Sequence, residues 1–222
     1  MKNAVRVLCI AMCSMLAHAQ EKRNPGHFTG IDVRGSFNVV LSKGKEGVAI
    51  YADKSALEHI KTEVSNGVLA LFVEGTHRIK GNVKIEVSYE TLAQIILNGS
   101  GDITTEGTIN TEDLKVQLIG SGDIALTVEA RNVKASLDGS GDITLQGKAT
   151  NLSAGVTGSG NLLAGRLKSG NVQAAVVGSG DCTVFASEAI RARVEGSGDI
   201  SYYGNPATED TKVSGSGSID KK

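Results

Sequence analysis

From residue 28 onward apolar and polar residues alternate with a period of two along most of the chain, and from residue 93 the alternating block itself repeats. Gly-Ser-Gly recurs at 99, 120, 139, 158, 178, 196 and 215, in steps of 21, 19, 19, 20, 18 and 19 residues. Counting back two, four and six residues from the first Gly of each of the first six copies gives Ala93/Ile95/Leu97, Leu114/Val116/Leu118, Val133/Ala135/Leu137, Leu152/Ala154/Val156, Val172/Ala174/Val176 and Ile190/Ala192/Val194. All are apolar, and the residues between them are mostly polar or small, as in Lys134, Ser136 and Asp138. This is the pattern of a strand with one buried face. After each Gly-Ser-Gly comes a polar residue and then an apolar one, as in Asp102-Ile103, Asn161-Leu162 and Asp181-Cys182. There a second short strand begins, for example Ile143-Thr144-Leu145.

One strand, a tight corner, a second strand and a looser turn make a coil of about 19 residues. Equivalent positions match in side-chain size from coil to coil, as stacking at about 4.8 Å demands. The pattern predicts an all-β fold, a right-handed parallel β-helix, or solenoid. Gly99, Gly101, Gly120, Gly122, Gly139, Gly141, Gly158, Gly160, Gly178, Gly180, Gly196, Gly198, Gly215 and Gly217 are then structural corner residues, since Gly tolerates the positive φ of a tight corner. In the last coil the inward triplet would be Glu209, Thr211 and Val213, preceded by Pro206. A degraded, polar terminal repeat is what an open sheet end requires.

Residues 28–92 read as a β-rich but unrepeated N-terminal part, and 93–222 as the β-helix repeats with their C-terminal cap. Ile31/Val33, Val39/Leu41, Val48/Ile50, Leu69/Leu71/Val73 and Val83/Ile85/Val87 alternate as strands. Asn66-Gly67 predicts a hairpin turn between 60–64 and 68–73. Residues 52–60 could hold a short helix capped by Asp53 or Ser55. Gly35-Ser36-Phe37 reads as a decayed corner.

The first residues change the compartment. Lys2 and Arg6 precede a short apolar run from Val7 to Ala17, and Ala17-His18-Ala19 is a small-x-small cleavage site. Residues 1–19 therefore read as a secretory signal peptide and 20–27 as a linker, with no transmembrane segment elsewhere. Removal of Lys2 and Arg6 leaves 21 basic and 24 acidic residues, a net charge of −3, which gives no sign of a nucleic-acid partner. Cys9 and Cys13 leave with the peptide. Cys182 then stands alone in the Ile position of its corner and reads as a small buried apolar residue.

Phe28-Thr29-Gly30-Ile31-Asp32-Val33, together with the run of Gly-Ser-Gly-Asp-Ile corners, resembles the head GIN domain family of auto-transporter adhesins, common in exported proteins of Bacteroidetes. The resemblance covers nearly the whole mature chain. It implies a right-handed β-helix and an adhesive role at the cell surface.

Several chemistries can be weighed against these residues. A Ser between two Gly residues resembles a nucleophile elbow, but that motif needs a strand-to-helix setting and a His partner. Seven near-identical copies do not behave like an active site, so no catalytic residue and no cofactor is assigned. Stacked coils would place Asp102, Asp123, Asp142, Asp181 and Asp199 in one column, interrupted by Asn161. Their repulsion calls for backbone N–H groups or, as a sharper reading, calcium between the coils. A polysaccharide-processing enzyme is a further reading by fold analogy alone, with Phe185, Tyr202 and Tyr203 as its aromatics and end-capping as their plainer role. The remaining reading is a binding or structural module of the cell envelope. Its interaction face would be the outward side of the first strand: Ile96, Ile119 and Val177 with Lys115, Lys134, Arg191 and Arg193. Its partner would be an envelope or extracellular protein, a glycan, or a second copy of the chain. The expected location is the periplasm or the outer-membrane-associated surface of a Gram-negative cell.

Overall fold

The computed structural model describes residues 19–75, 77, 79 and 81–222. The expected signal peptide lies outside the described residues, apart from Ala19. The chain opens with β1 (Ala19–Arg23), β2 (Gly30–Gly35), β3 (Asn38–Lys43) and β4 (Gly47–Ala52). A single turn of helix, α1 (Lys54–Leu57), follows, with Asp53 at its N-cap but no side-chain capping bond. Then come β5 (Ile60–Ser65), β6 (Val68–Val73) and β7 (Lys84–Tyr89). Asn66 and Gly67 both have positive φ, at 52° and 73°, as a tight two-residue hairpin needs.

The repeats begin at β8 (Gln94–Gly99) and β9 (Asp102–Glu106), which flank the first complete corner. β10 (Ile109–Gly120), β11 (Asp123–Gly139), β12 (Asp142–Gly158), β13 (Asn161–Gly178) and β14 (Cys182–Gly196) follow. Each of the last four spans essentially a whole coil from one corner to the next, where the alternation predicts two short strands. β15 (Ile200–Tyr203), β16 (Thr208–Gly215) and β17 (Ile219–Lys221) complete the chain.

Pairing between successive coils is parallel and in register, so Asp123 faces Asp142, Ala135 faces Ala154 and Gly139 faces Gly158. The molecule is a parallel β-solenoid whose coils have two sides. One ladder runs up to the Gly-Ser-Gly corner and the other leaves it. Both turn their alternate apolar residues into one continuous core that reaches from Phe28 to Tyr202.

The N-terminal part joins the same stack. β2 pairs in parallel with both β6 and β8, and β3 with both β7 and β9. Gly35-Ser36-Phe37 is therefore a true corner, seated beneath Gly99–Gly101, with the buried Phe37 side chain where later coils have Gly. Antiparallel strands close this end: β5 on β6, β4 on β7, and β1 on β4. Residues 20–23, expected as linker, thus form most of β1. Its register carries Glu21 onto Ile50 and Arg23 onto Val48, so an ion pair of 2.7 Å covers the apolar columns. Arg23 also donates to the carbonyls of Ile60 and Leu57.

At the other end β16 is exposed along its length, and Val213 is 41% exposed. Tyr202 turns inward and donates its hydroxyl to Glu209, which also pairs with Lys221.

Candidate functional site

The corners position two rows of polar groups. Ser140 N and Gly141 N both donate to the carbonyl of Gly120 one coil below, at 2.9 and 3.3 Å, and the same pair of bonds recurs at later corners. This fixes the Ser side chains outward, where all seven are exposed. His27 bonds Glu46, while the rings of His59 and His77 stack at 3.8 Å, all within the N-terminal part. After five of the seven corners the aspartates Asp102, Asp123, Asp142, Asp181 and Asp199 line up, with Asn161 and Ser218 in the other two places, and four of the five carboxylates bond upward. Asp123 accepts the backbone N–H of Asp142, Asp142 that of Asn161, Asp181 that of Asp199, and Asp199 that of Ser218, at 2.7–3.0 Å. Asn161 also donates its side-chain amide to Asp142, so the one Asn adds a donor to the row. Charge repulsion along the column is offset by these donors. Among the described residues no group of three or more His, Cys, Asp or Glu side chains converges as a metal cluster.

A second polar row was missed by the sequence reading. Asp113, Asn132, Asn151 and Asn171 stand directly before the inward residues Leu114, Val133, Leu152 and Val172, at steps of 19, 19 and 20 residues. Coil stacking joins them side chain to side chain. Asn132 donates to Asp113 and Asn151 to Asn132, each at 2.7 Å, and Asn171 donates to Asn151 and to Glu188, each at 3.3 Å. The signal was present as a second recurring position with the corner's own period, on the side of the coil away from the corner. The row forms one wall of a surface groove of about 740 Å³. Leu114, Val133, Leu152, Val172 and Ile190 are its buried floor, and Lys115, Lys134, Ser153, Gln173 and Arg191 its other wall.

The expected interaction-face residues all lie on the outward side of the ladder that ends at the corner. Lys115, Lys134 and Arg191 share one column, with Ser153 and Gln173 between them. Ile96 and Arg193 lie in the next column, separated by Gln117, Ser136, Gly155 and Ala175. Ile119 and Val177 occupy the third, with Asp138 and Thr157 between them. The apolar residues therefore do not merge: Val177 is 46% exposed, while Ile96 and Ile119 are half-buried. Arg191 and Arg193 both bond Asp210, at 2.9 and 2.6 Å.

The family described as "Putative auto-transporter adhesin, head GIN domain" matches residues 27–206. The chain belongs to this family. Three crystal structures of similar proteins bear on its GIN domain. A "putative adhesin" from Bacteroides fragilis is 26% identical over 93% of this chain and 98% of its own, with a TM-score of 0.90. A "putative lipid binding protein" from Parabacteroides distasonis is 20% identical over 92% and 96%, at 0.74. A "putative adhesin" from Parabacteroides merdae is 17% identical over 92% and 95%, at 0.73. The last two likenesses concern the fold alone. No curated protein sequence matches the chain.

The other singled-out residues of this GIN domain are placed by the same coils. Cys182 is fully buried in the column of Leu162 and Ile200, and burial, with the Asp181 charge adding, pushes its thiol up to about 12. Phe185 and Tyr203 are register neighbours on the far ladder, where the Lys168 ammonium sits 3.8 Å from the Phe185 ring and Tyr203 lies over Gly165. No helix among the described residues is long and apolar enough to cross a membrane.

Proposed function

We propose that this GIN domain is an exported, non-catalytic binding module of the Gram-negative cell envelope, placed in the periplasm or at the outer-membrane surface. Its contact surface is the outward side of the ladder that ends at the corners. The observation that carries this reading is the groove of about 740 Å³ along that ladder, bounded by the amide row and by Lys115 and Lys134. Among the described residues the interior of the solenoid is filled by its own side chains, so a ligand meets this body at its surface. That holds also for a lipid, the ligand class in the name of the P. distasonis relative. The expected column of aspartates serves the stack through backbone N–H bonds, so the module works without calcium.

Adhesion of beads coated with the chain, on immobilised mucin, collagen and cell-envelope fractions, tests this reading. Adhesion to at least one surface is expected, with loss in the Ile119→Lys/Val177→Lys variant. Absence of adhesion throughout, or undiminished adhesion of both this variant and Lys115→Glu/Lys134→Glu, would reject the face. New reducing ends released from a polysaccharide panel would instead establish the enzyme reading. Sedimentation at rising concentration addresses self-association, which the same variant should abolish.

A further inference from the structure

The groove has features that select among ligands. Lys115 and Lys134 face each other on adjacent coils, and neither takes part in an ion pair among the described residues. Like charges directly opposed across a parallel pair are unfavourable. Solvation alone offsets them here, which leaves both ammonium groups open to an anion. At the far end of the groove Arg191 is already held by Asp210, so the unpaired positive charge is that of Lys115 and Lys134, with Asp113, itself bonded by Asn132, as the one carboxylate on the opposite wall at their end.

The opposite wall offers hydrogen bonds at every coil. Asn132 and Asn151 each spend one N–H and one acceptor site on the row itself, leaving a second N–H and a second lone pair on each amide. These groups recur with the coil spacing of about 4.8 Å, and the groove extends across coils from Ala93 to Asp210. The floor between the two polar walls is the backbone at Leu114, Val133, Leu152, Val172 and Ile190, whose side chains turn into the core. The strands beneath are already bonded to neighbours on both sides, so the wall presents side-chain amides and hydroxyls and no free backbone edge for an extended peptide.

We propose that this groove binds an extended acidic glycan, with sugar carboxylates on Lys115 and Lys134 and sugar hydroxyls on the Asn132–Asn151–Asn171 row. The assignment rests on the reading of this face as the contact surface and names the ligand class for it. A polyhydroxylated chain suits the evenly spaced amides, and its carboxylates satisfy the two unpaired lysines.

The test is titration calorimetry of the full chain with short oligogalacturonate, its carboxyl-reduced neutral counterpart and oligoglutamate. Oligogalacturonate should bind, and the neutral oligomer about tenfold more weakly or worse, the size expected when charge-assisted hydrogen bonds are lost. Lys115→Glu/Lys134→Glu should lose a similar factor. Ser153→Trp, which plugs the middle of the groove from an exposed position, should abolish binding, and Asn151→Ala should weaken it severalfold. Tyr203→Ala, on the far ladder, should leave it unchanged, and melting temperatures confirm that each variant folds. The proposal is overturned if oligogalacturonate does not bind, or if the neutral oligomer binds as well. It is also overturned if oligoglutamate binds equally tightly and is indifferent to Asn151→Ala. Bead adhesion separates the two levels: adhesion lost in Ile119→Lys/Val177→Lys but kept in Lys115→Glu/Lys134→Glu removes the glycan assignment and leaves the contact face standing.

Discussion

Gly141 has a φ outside the left-handed region, yet alanine does not fit there, because a Cβ would overlap the carbonyl oxygen of Gly122 in the coil below. Gly139 carries the same close approach to Gly120 and in addition a φ of +138°. The two glycines of each corner are thus required for different reasons, while the serine between them faces solvent and contributes its backbone N–H. We predict that Gly141→Ala costs about 3 kcal/mol, Gly139→Ala at least as much, and Ser140→Ala no more than about 0.5 kcal/mol, read from denaturant midpoints. Comparable losses for all three would contradict this account. The aspartates act as acceptors for the next coil, a role that an amide oxygen also fills. Asp142→Asn should therefore be nearly neutral and Asp142→Ala cost about 1 kcal/mol. Cys182 should resist a thiol reagent at neutral pH and react only in denaturant, since its thiol is buried and held near 12. Rapid labelling of the folded chain would show the column to be open there.

Among the elements, β16 is the most exposed repeat strand, and Asp210 anchors it through Arg193 and Arg191. Those hydrogen bonds lower the Asp210 carboxyl from 3.8 to about 2. A lowered folded value means that the contribution is fully present above 3.8 and is lost as pH falls toward about 2. We predict that acidification through this window releases β16, seen as faster amide exchange, and that Asp210→Asn removes the dependence. The periodic elements were legible in the sequence because each coil repeats its inward triplet, and Asn66-Gly67 marked its hairpin. The continuity of β11 was not legible. Its inward positions shift parity between Val128 and Val133, which reads as a break. In the structure only Arg131 drops out of register, and pairing resumes at Asn132. β1 was hidden for a different reason. Ala-Gln-Glu-Lys-Arg has no apolar alternation, since its inward positions are Glu21 and Arg23. The amide row escaped because its residues flank the apolar triplet, where polar residues read as ordinary turn.

In the whole molecule, the apolar columns end in charge at both limits: Glu21 and Arg23 at the start, Glu209 and Lys221 at the finish. Such ends prevent one solenoid from extending another, a hazard of any body with open strand edges. Because each coil touches only its neighbours, damage at one end should stay there. Arg23→Ala should speed amide exchange in β1 and β4 and leave β12 unchanged, whereas uniform acceleration would mean that the stack opens as one unit. The interleaving of the N-terminal coil also concerns how the body is assembled. β2 and β3 lie between β6–β7 and β8–β9, so the part made first is enclosed by parts made later. Gly30 meets Gln94, whereas in the repeats each residue meets one about a coil away in the chain. Closing the longer loop is slower. The stack is therefore expected to nucleate in its middle and to take in its own beginning last. Pulse-labelling during refolding should find β11–β13 protected before β2 and β3. A chain delivered N-terminus first would then reach the far side of a membrane with its leading segment still unpaired, waiting for residues not yet across.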